Sequence, residues 1–457
     1  VTYAFVFLFL LMMAYIVYFY VVKSKDIINS AYNPRLDSYA DRVVRGSIVD
    51  KDGNVLAKTQ VAEDGTETRV YPYGEVFSHV VGYTAYGKSG LESAENFDLL
   101  TSNAFFTEKF MNEFRDQKNQ GDTVVTTLDA GLQQAAYNAL GDNKGAVVVM
   151  EASTGKILAM VSKPSFDPNN LEANWEYLNS DQSGSALLNR ATQGAYAPGS
   201  VFKIVTALEY IKENSNYNAY TYDCSGEITA DGVTIHCFNS TVHGAEDLRS
   251  SFANSCNASF ANIGLSLDKT SYRKTAENLL FNKKLPCVLP VSKSSFTIDK
   301  NSSSAQIMMT AMGQGETLVS PYHMALITAA VANGGTLMEP YLVDSITNYT
   351  GSEVSKNKPS SYAKLMTSEE AAQLKEYMKA VVDQGTATML SGQSYTVAGK
   401  TGTAEYSSDK EKSHSWFVGF TNVDNPELVI SVIVEGYDGN AGGRAVPIAK
   451  TILDSYY

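Results

Sequence analysis

The sequence has no excess of positive charge and no basic run: 36 Lys and Arg stand against 49 Asp and Glu, a formal net charge of −13 over 457 residues. Affinity for nucleic acid comes from neutralised phosphates, so this balance excludes a nucleic-acid binder. Cysteine is scarce as well. Cys224, Cys237, Cys256 and Cys287 are too few for a disulfide scaffold and form no CxxC pair, which argues against a thiolate metal site. The five histidines, His79, His236, His243, His323 and His414, show no HExxH or other ligand spacing, so neither a metal nor a cofactor is expected. No internal repeat or low-complexity tract occurs. With 44% hydrophobic and 19% charged residues, wholesale disorder is excluded. The length supports roughly two or three domains.

The first 22 residues lack charge altogether: VTYAFVFLFLLMMAYIVYFYVV. At ~1.5 Å per residue such a helix crosses a hydrocarbon core of ~30 Å. It is apolar on every face and carries tyrosines suited to a membrane interface, so residues 1–22 are expected to be an anchor in the lipid bilayer. A cleaved signal peptide would have a shorter apolar region and a small-residue site after it, whereas Lys23-Ser24-Lys25 follows here. Lys23 and Lys25 alone would leave the C-terminal side in the cytoplasm. The sequence opens at Val1 rather than Met, so that balance is weighed on one side only. The chemistry below places the rest of the chain outside.

Beyond the anchor, Arg45–Asp50 alternates like a strand, Asp52-Gly53 signals a hairpin turn and Val55-Leu56-Ala57 begins the return. Asp50, Asp52 and Asn54 fail as an EF-hand, because the glycine comes too early and the twelfth position is Val61. Short strands, glycine turns, a helical patch near Ala104–Arg115 and a helix over Asp129–Leu140, capped by Asp129, suggest a small irregular spacer domain over 23–140. A new domain over 141–457 opens with the apolar runs Ala146–Met150 and Ile157–Val161. It closes with Trp416–Phe420 and Leu428–Val434, joined through Asp424-Asn425-Pro426, and a final helix over Ala445–Tyr457. Helical stretches lie between: Val201–Lys212, Leu248–Leu265, His323–Ala332 and Ser368–Gln384. Strand hairpins at both ends with helices between imply an α/β (α+β) fold around a mainly antiparallel sheet. The polar tract Ser292–Ser304 is expected to be an exposed loop.

Three short motifs carry chemistry. Ser200-Val201-Phe202-Lys203 puts a hydroxyl and an amine on one helix face, and the amine can take the hydroxyl proton if burial lowers its pKa. The bare pattern also occurs at Ser153, Ser266, Ser271, Ser355, Ser361 and Ser407. Ser200 differs in its setting: Pro198-Gly199 precedes it and an apolar helix follows. That places the hydroxyl at a helix N-terminus, where free amides favour developing negative charge. Ser255-Cys256-Asn257 offers a proton relay and an amide for substrate, on a short loop or kinked helix; Ser355-Lys356-Asn357 is a second match in a loop. Lys400-Thr401-Gly402-Thr403 contains the chain's one Lys-Thr-Gly and follows a strand over Tyr395–Gly399. Gly402 would let a ligand backbone approach the strand edge, Thr401 and Thr403 can grip a carboxylate, and Lys400 adds positive charge. An edge strand can also pair with an extended peptide.

The order Ser-x-x-Lys, Ser-x-Asn and Lys-Thr-Gly, with 55 residues from Ser200 to Ser255 and 143 from Asn257 to Lys400, is that of penicillin-binding proteins and related β-lactamases. The chain resembles class B penicillin-binding proteins, the monofunctional membrane-anchored peptidoglycan transpeptidases. Arg45–Gly53, Gly90-Leu91-Glu92, Asn189–Gly194 leading into Pro198-Gly199-Ser200, and Lys400–Glu405 all carry the likeness. No segment has the length of a glycosyltransferase domain, which separates it from the bifunctional class A. Cys256 inside Ser-x-Asn departs from the pattern.

The resemblance implies a penicillin-binding transpeptidase fold and a bacterial membrane location with the catalytic domain extracytoplasmic. It implies that Ser200 attacks the penultimate D-alanine carbonyl of a stem peptide ending D-Ala-D-Ala. Lys203 would be the general base, and Ser255 supported by Lys400 would pass a proton to the leaving D-alanine. The backbone amides of Ser200 and Thr403 would hold the oxyanion, Asn257 the substrate amide, and Thr401 and Thr403 the terminal carboxylate, with Gly402 leaving room for the substrate backbone. β-Lactams should acylate Ser200. A membrane glycosyltransferase and other wall-synthesis proteins are the expected partners, docking on the anchor and residues 33–140. A DD-carboxypeptidase or β-lactamase-like hydrolase, and a non-catalytic scaffold or β-lactam sensor, are the alternative readings. A disulfide between Cys237 and Cys256 would distort the Ser255–Asn257 loop and make activity redox-dependent; four buried reduced cysteines are the alternative.

Overall fold

The computed structural model describes residues 2–20, 40–181, 183–405, 413–436 and 443–457. The apolar runs at the two ends of the larger domain meet in one five-stranded sheet. Its strands are β1 (Gly145–Glu151), β2 (Ile157–Lys163), β3 (Val397–Glu405), β4 (Ser413–Thr421) and β5 (Leu428–Val434), in spatial order β3-β4-β5-β1-β2. Every neighbouring pair is antiparallel, as the hairpin pattern implied.

Helices α1 (Lys203–Glu213) and α2 (Asn257–Ser266) pack on each other, and three further helices pack on the sheet: α3 (Pro321–Ala332), α4 (Ser368–Asp383) and α5 (Ala445–Tyr456). Helix α3 packs on β5 and β1, and α4 on β3; α5 packs on β5 and on the Ala130–Leu140 helix. Every residue of β5 is buried, and so is every residue of α3. Covered faces explain why these sequences lack a polar stripe. Each fully buried Val, Leu or Ile on β5 contributes roughly 1.5–3 kcal/mol of transfer free energy. Asp129 caps the Ala130–Leu140 helix by accepting the Leu132 N–H.

A second sheet has six strands, in the order Glu353–Lys356, Val343–Thr347, Thr123–Thr126, Ile48–Val49, Val55–Val61, Glu67–Val70. The turn at Asp52-Gly53 forms as read, with Asp50 accepting the N–H groups of Asp52 and Asn54. The first two strands of that order arrive from far along the chain, and the stretch read as a loop at Ser355-Lys356 is one of them. Glu92 is fully buried and accepts from Nε of both Arg45 and Arg69 at 2.7 Å. Burial alone would raise its carboxyl, but the two guanidinium groups hold it below the ordinary carboxylate range. The Arg45 and Glu92 signatures are therefore two halves of one contact.

Two expectations change. The single helix over Leu248–Leu265 is two, Leu248–Ala253 and α2, broken at Ser255. The Ser292–Ser304 tract is irregular but not wholly exposed: Phe296 and Ile298 enter the core, and buried Ser294 bonds His323 Nδ1 at 2.8 Å. The N-terminal helix covers Thr2–Tyr18 and buries none of its residues. Among the described residues no helix is long and apolar enough to cross a membrane. Val1, Val21 and Val22 of the expected anchor lie outside the described residues, as does Ser407.

Candidate active site

Pro198 precedes a 3₁₀ turn, Gly199–Phe202, that runs into α1. Ser200 sits in this first turn, where N–H groups lack intrahelical partners. Gly199 has φ +54, and a Cβ there would lie 2.4 Å from the Thr403 carbonyl oxygen. Only glycine lets the serine turn rest so closely on β3. The Gly199 N–H donates to Gly313 O at 2.8 Å, and Trp416 Nε1 donates to Ala197 O at 3.1 Å. The Ser200 side chain is partly exposed and makes no hydrogen bond among the described residues.

Lys203, one turn on, is fully buried. Its amine donates to Ser255 O at 2.7 Å, Asn257 Oδ1 at 2.8 Å and Ser255 Oγ at 3.2 Å. Lys400, also fully buried, reaches the same Ser255 Oγ at 2.9 Å and Thr401 O at 3.1 Å. Lysines 52 and 145 positions away from Ser255 along the chain thus share its hydroxyl. With two N–H donors aimed at its oxygen, the Ser255 hydroxyl directs its own proton elsewhere. The geometry requires Ser255 at φ +57, a left-handed conformation costing about 1–2 kcal/mol in a non-glycine residue. Cys256 then caps α2 by accepting the Ser259 N–H. This explains why one apolar helix pattern becomes two helices.

Burial dominates the electrostatics. It brings the Lys203 amine down to about 7, with the neighbouring Cys256 and Cys237 opposing the shift. Burial, and then the charge of Lys203, push Lys400 well below the ordinary lysine value. The Phe260 ring lies 5.3 Å from Lys203 Nζ and the Phe252 ring 5.7 Å from Lys400 Nζ, so aromatic faces stand where water would otherwise solvate the cations. A near-neutral amine beside a hydroxyl can accept a proton at ordinary pH.

Strand β3 is the sheet's edge. Alternation puts Lys400 and Gly402 on one face and Thr401 and Thr403 on the other. Both threonines are partly exposed, and Thr401 Oγ1 lies 2.5 Å from Thr386 Oγ1. For Gly402 the reason differs from the one expected. Its absent side chain makes room for the serine turn, since a Cβ would meet Pro198 O and Val201 Cγ1 at 3.1 Å.

The other Ser-x-x-Lys matches at Ser153, Ser266, Ser271, Ser355 and Ser361 have lysines at least partly exposed, and none faces a second motif. Residues that motif reading missed also shape the site. Gly313 fixes the serine turn, Thr386 meets Thr401, and the Gln314 amide, its oxygen toward the Glu405 N–H, brackets the Glu405 backbone at 3.1 Å. The glycine pair Gly313-Gln314-Gly315 was the available signal. Among the described residues, Cys224, Cys237, His243 and Cys256 could together hold a metal ion. Linear spacing does not show this cluster, because its members converge from separate strands and a helix cap.

Residues 145–454 match the family described as the penicillin binding protein transpeptidase domain, and residues 45–124 the penicillin binding protein A dimerisation domain. The chain is 31% identical to the peptidoglycan D,D-transpeptidase PbpA of Mycolicibacterium smegmatis over 446 residues, 92% of this chain and 89% of that protein. Among solved structures it is similar to penicillin-binding protein A of Mycobacterium tuberculosis as an imipenem acyl-enzyme complex. There the TM-score is 0.82, with 30% identity and coverage of 91% of this chain and 99% of that one. The D,D-transpeptidase domain of a peptidoglycan glycosyltransferase from Eggerthella lenta also superimposes with a TM-score of 0.82, at 31% identity, covering 91% and 98%.

Proposed function

The chain belongs to the penicillin-binding protein transpeptidases and is a serine-type peptidoglycan D,D-transpeptidase; we propose that Ser200 is the nucleophile through which it cross-links stem peptides ending D-Ala-D-Ala. The observation that carries this reading is the convergence of two buried lysines on Ser255 Oγ beside the Ser200 turn. Ser200 Oγ attacks the penultimate D-alanine carbonyl while Lys203, neutral, takes its proton. The amides of Ser200 and Thr403 receive the oxyanion, a contact worth about 3–4 kcal/mol per donor. Ser255 delivers a proton to the departing D-alanine amine and is resupplied through Lys400. The amine of a second stem peptide then attacks the ester, releasing Ser200 and closing the cross-link. Asn257 holds the substrate amide, and Thr401 and Thr403 bind the terminal carboxylate. β-Lactams acylate Ser200 by the same first step.

Residues 1–22 are proposed to anchor the chain in the bacterial cell membrane with a single pass. Absence of charge through Val22 and the wholly exposed Thr2–Tyr18 helix support this. The catalytic domain then stands on the extracytoplasmic side, where peptidoglycan is. The division into a spacer over 23–140 and a transpeptidase domain over 141–457 is supported by the two family matches. A membrane glycosyltransferase is the proposed partner, docking on the anchor and the spacer. In its support, the Phe106–Phe114 helix buries no residue and exposes Phe106, Phe110 and Phe114. The test of the reaction is a D-Ala-D-Ala stem peptide offered with an amine acceptor. Cross-linked product with D-alanine release is expected; D-alanine release with hydrolysed donor alone contradicts a transpeptidase.

A further inference from the structure

Beside the Ser255–Asn257 loop, on the side of Cys256, three sulfurs and one imidazole nitrogen are gathered. Cys224 Sγ lies 3.6 Å from Cys237 Sγ, Cys237 Sγ 3.7 Å from Cys256 Sγ, and Cys224 Sγ 3.5 Å from His243 Nδ1. All four ligand atoms lie within 4.8 Å of one another. A disulfide would hold sulfurs ~2.05 Å apart, and the cysteines are free. A tetrahedral ion with ~2.3 Å bonds to sulfur and ~2.0–2.1 Å to nitrogen puts neighbouring sulfurs ~3.8 Å apart and sulfur and nitrogen ~3.6 Å apart. The separations of 3.6, 3.7 and 3.5 Å match three edges of that tetrahedron. From them we propose that Cys224, Cys237, Cys256 and His243 bind one zinc ion.

The surroundings fit a thiolate-bound cation. Cys224, Cys237 and Cys256 are buried and His243 is partly exposed, so the site is closed to bulk water but reachable at its nitrogen corner. The Gly226 N–H donates to Cys224 Sγ and the Ser259 N–H to Cys256 Sγ, both at 3.4 Å. Cys256 also caps the ten-residue helix α2, whose N-terminal dipole favours the thiolate. Four protein ligands leave no open position, so the ion is structural and takes no part in acyl transfer. A disulfide between Cys237 and Cys256 would account for two of these residues and leave Cys224 and His243 without a reason to be there.

The ligands come from four places. Cys224 ends the Thr221–Cys224 strand, Cys237 follows the Glu227–His236 hairpin, His243 precedes the Gly244–Asp247 strand, and Cys256 lies between Ser255 and Asn257. The hairpin also meets the motif directly, Asn257 Nδ2 donating to His236 O at 3.1 Å. The ion thereby fastens to the protein frame the loop that presents Ser255 to Lys203 and Lys400. Each cysteine loses its proton on binding, the zinc supplying the compensating charge.

The test is metal analysis of the full chain, purified from zinc-supplemented medium without chelator. One zinc ion per chain is expected, retained through dialysis, with an X-ray absorption shell of three sulfurs and one nitrogen. Replacement by cobalt should give the visible bands of tetrahedral thiolate coordination. Cys224→Ser and His243→Ala should lose the metal and Cys287→Ser should keep it. Substoichiometric zinc that washes out of the wild-type chain, a shell without sulfur, or a disulfide among the three cysteines in freshly purified protein overturns the proposal. These readouts use no enzymatic activity, so they stand apart from the transpeptidase reading.

Discussion

Replacing Gly199 by alanine perturbs the site without touching any reacting group. The backbone there has φ +54, and the added Cβ would lie 2.4 Å from Thr403 O, 2.7 Å from Thr403 C and 3.1 Å from Ala404 N. All three are backbone atoms of an edge strand, so no side chain can swing aside. Relief needs the serine turn and β3 to separate by about 1 Å to reach ordinary contact. The left-handed conformation costs an alanine about 1–2 kcal/mol more than glycine, which lowers the melting temperature by only a few degrees in a domain of this size. Catalysis is more sensitive, because a displacement of ~1 Å can cost ~10²-fold, and here it opens the gap between the Ser200 and Thr403 amides. Gly199→Ala should therefore acylate with labelled penicillin about a hundredfold more slowly than wild type while melting only a few degrees lower. Acylation at the wild-type rate, with the variant folded, would refute the claim that the turn and the strand jointly form the oxyanion site.

Other outcomes follow from the same geometry. Because Lys203 is brought to about 7 and accepts a proton only when neutral, acylation should rise with pH through about 7; a flat profile over about pH 5–9 removes it as the base. Lys203→Ala should slow acylation by about 10²–10⁴-fold, measured with the same labelled penicillin; retention of rate would shift the role to Lys400. Glu92→Ala strands Arg45 and Arg69 in the spacer, and thermal or denaturant unfolding should show a loss of about 3–5 kcal/mol. Penicillin labelling of the Glu92→Ala protein that remains folded should be unchanged. Stripping zinc should slow acylation by loosening the Ser255–Asn257 loop, and restoring the ion should restore the rate.

The sequence made the candidate site legible because its parts are short, ordered and chemically distinctive: Ser200 with Lys203, Ser255 with Asn257, and Lys400 with Thr401 and Thr403. Four strands of the five-stranded sheet were visible as apolar runs ending in turns, and β3 as the strand leading into Lys-Thr-Gly. What stayed hidden depends on contacts no local pattern carries. The break at Ser255 follows from tertiary demands on one hydroxyl that override a continuous helical pattern. Val343–Thr347 and Glu353–Lys356 complete a sheet begun at Ile48, and the pairing of Val343–Thr347 with Thr123–Thr126 could not be inferred from spacing. The Ser292–Ser304 tract looks polar by composition, yet Phe296 and Ile298 carry it into the core. The cysteine cluster was missed for the same reason. With 12, 5 and 12 residues between successive members, it follows no compact ligand pattern, and the strands that bring it together are themselves short.

The central claim is that Ser200, in the turn that leads into Lys203, is the nucleophile. Mass spectrometry of a proteolytic digest after brief exposure to penicillin reads it directly. The adduct should sit on the peptide containing Ala197–Lys203, on Ser200, and Ser200→Ala should carry none. An adduct on any other residue, or full labelling of Ser200→Ala, would contradict the account.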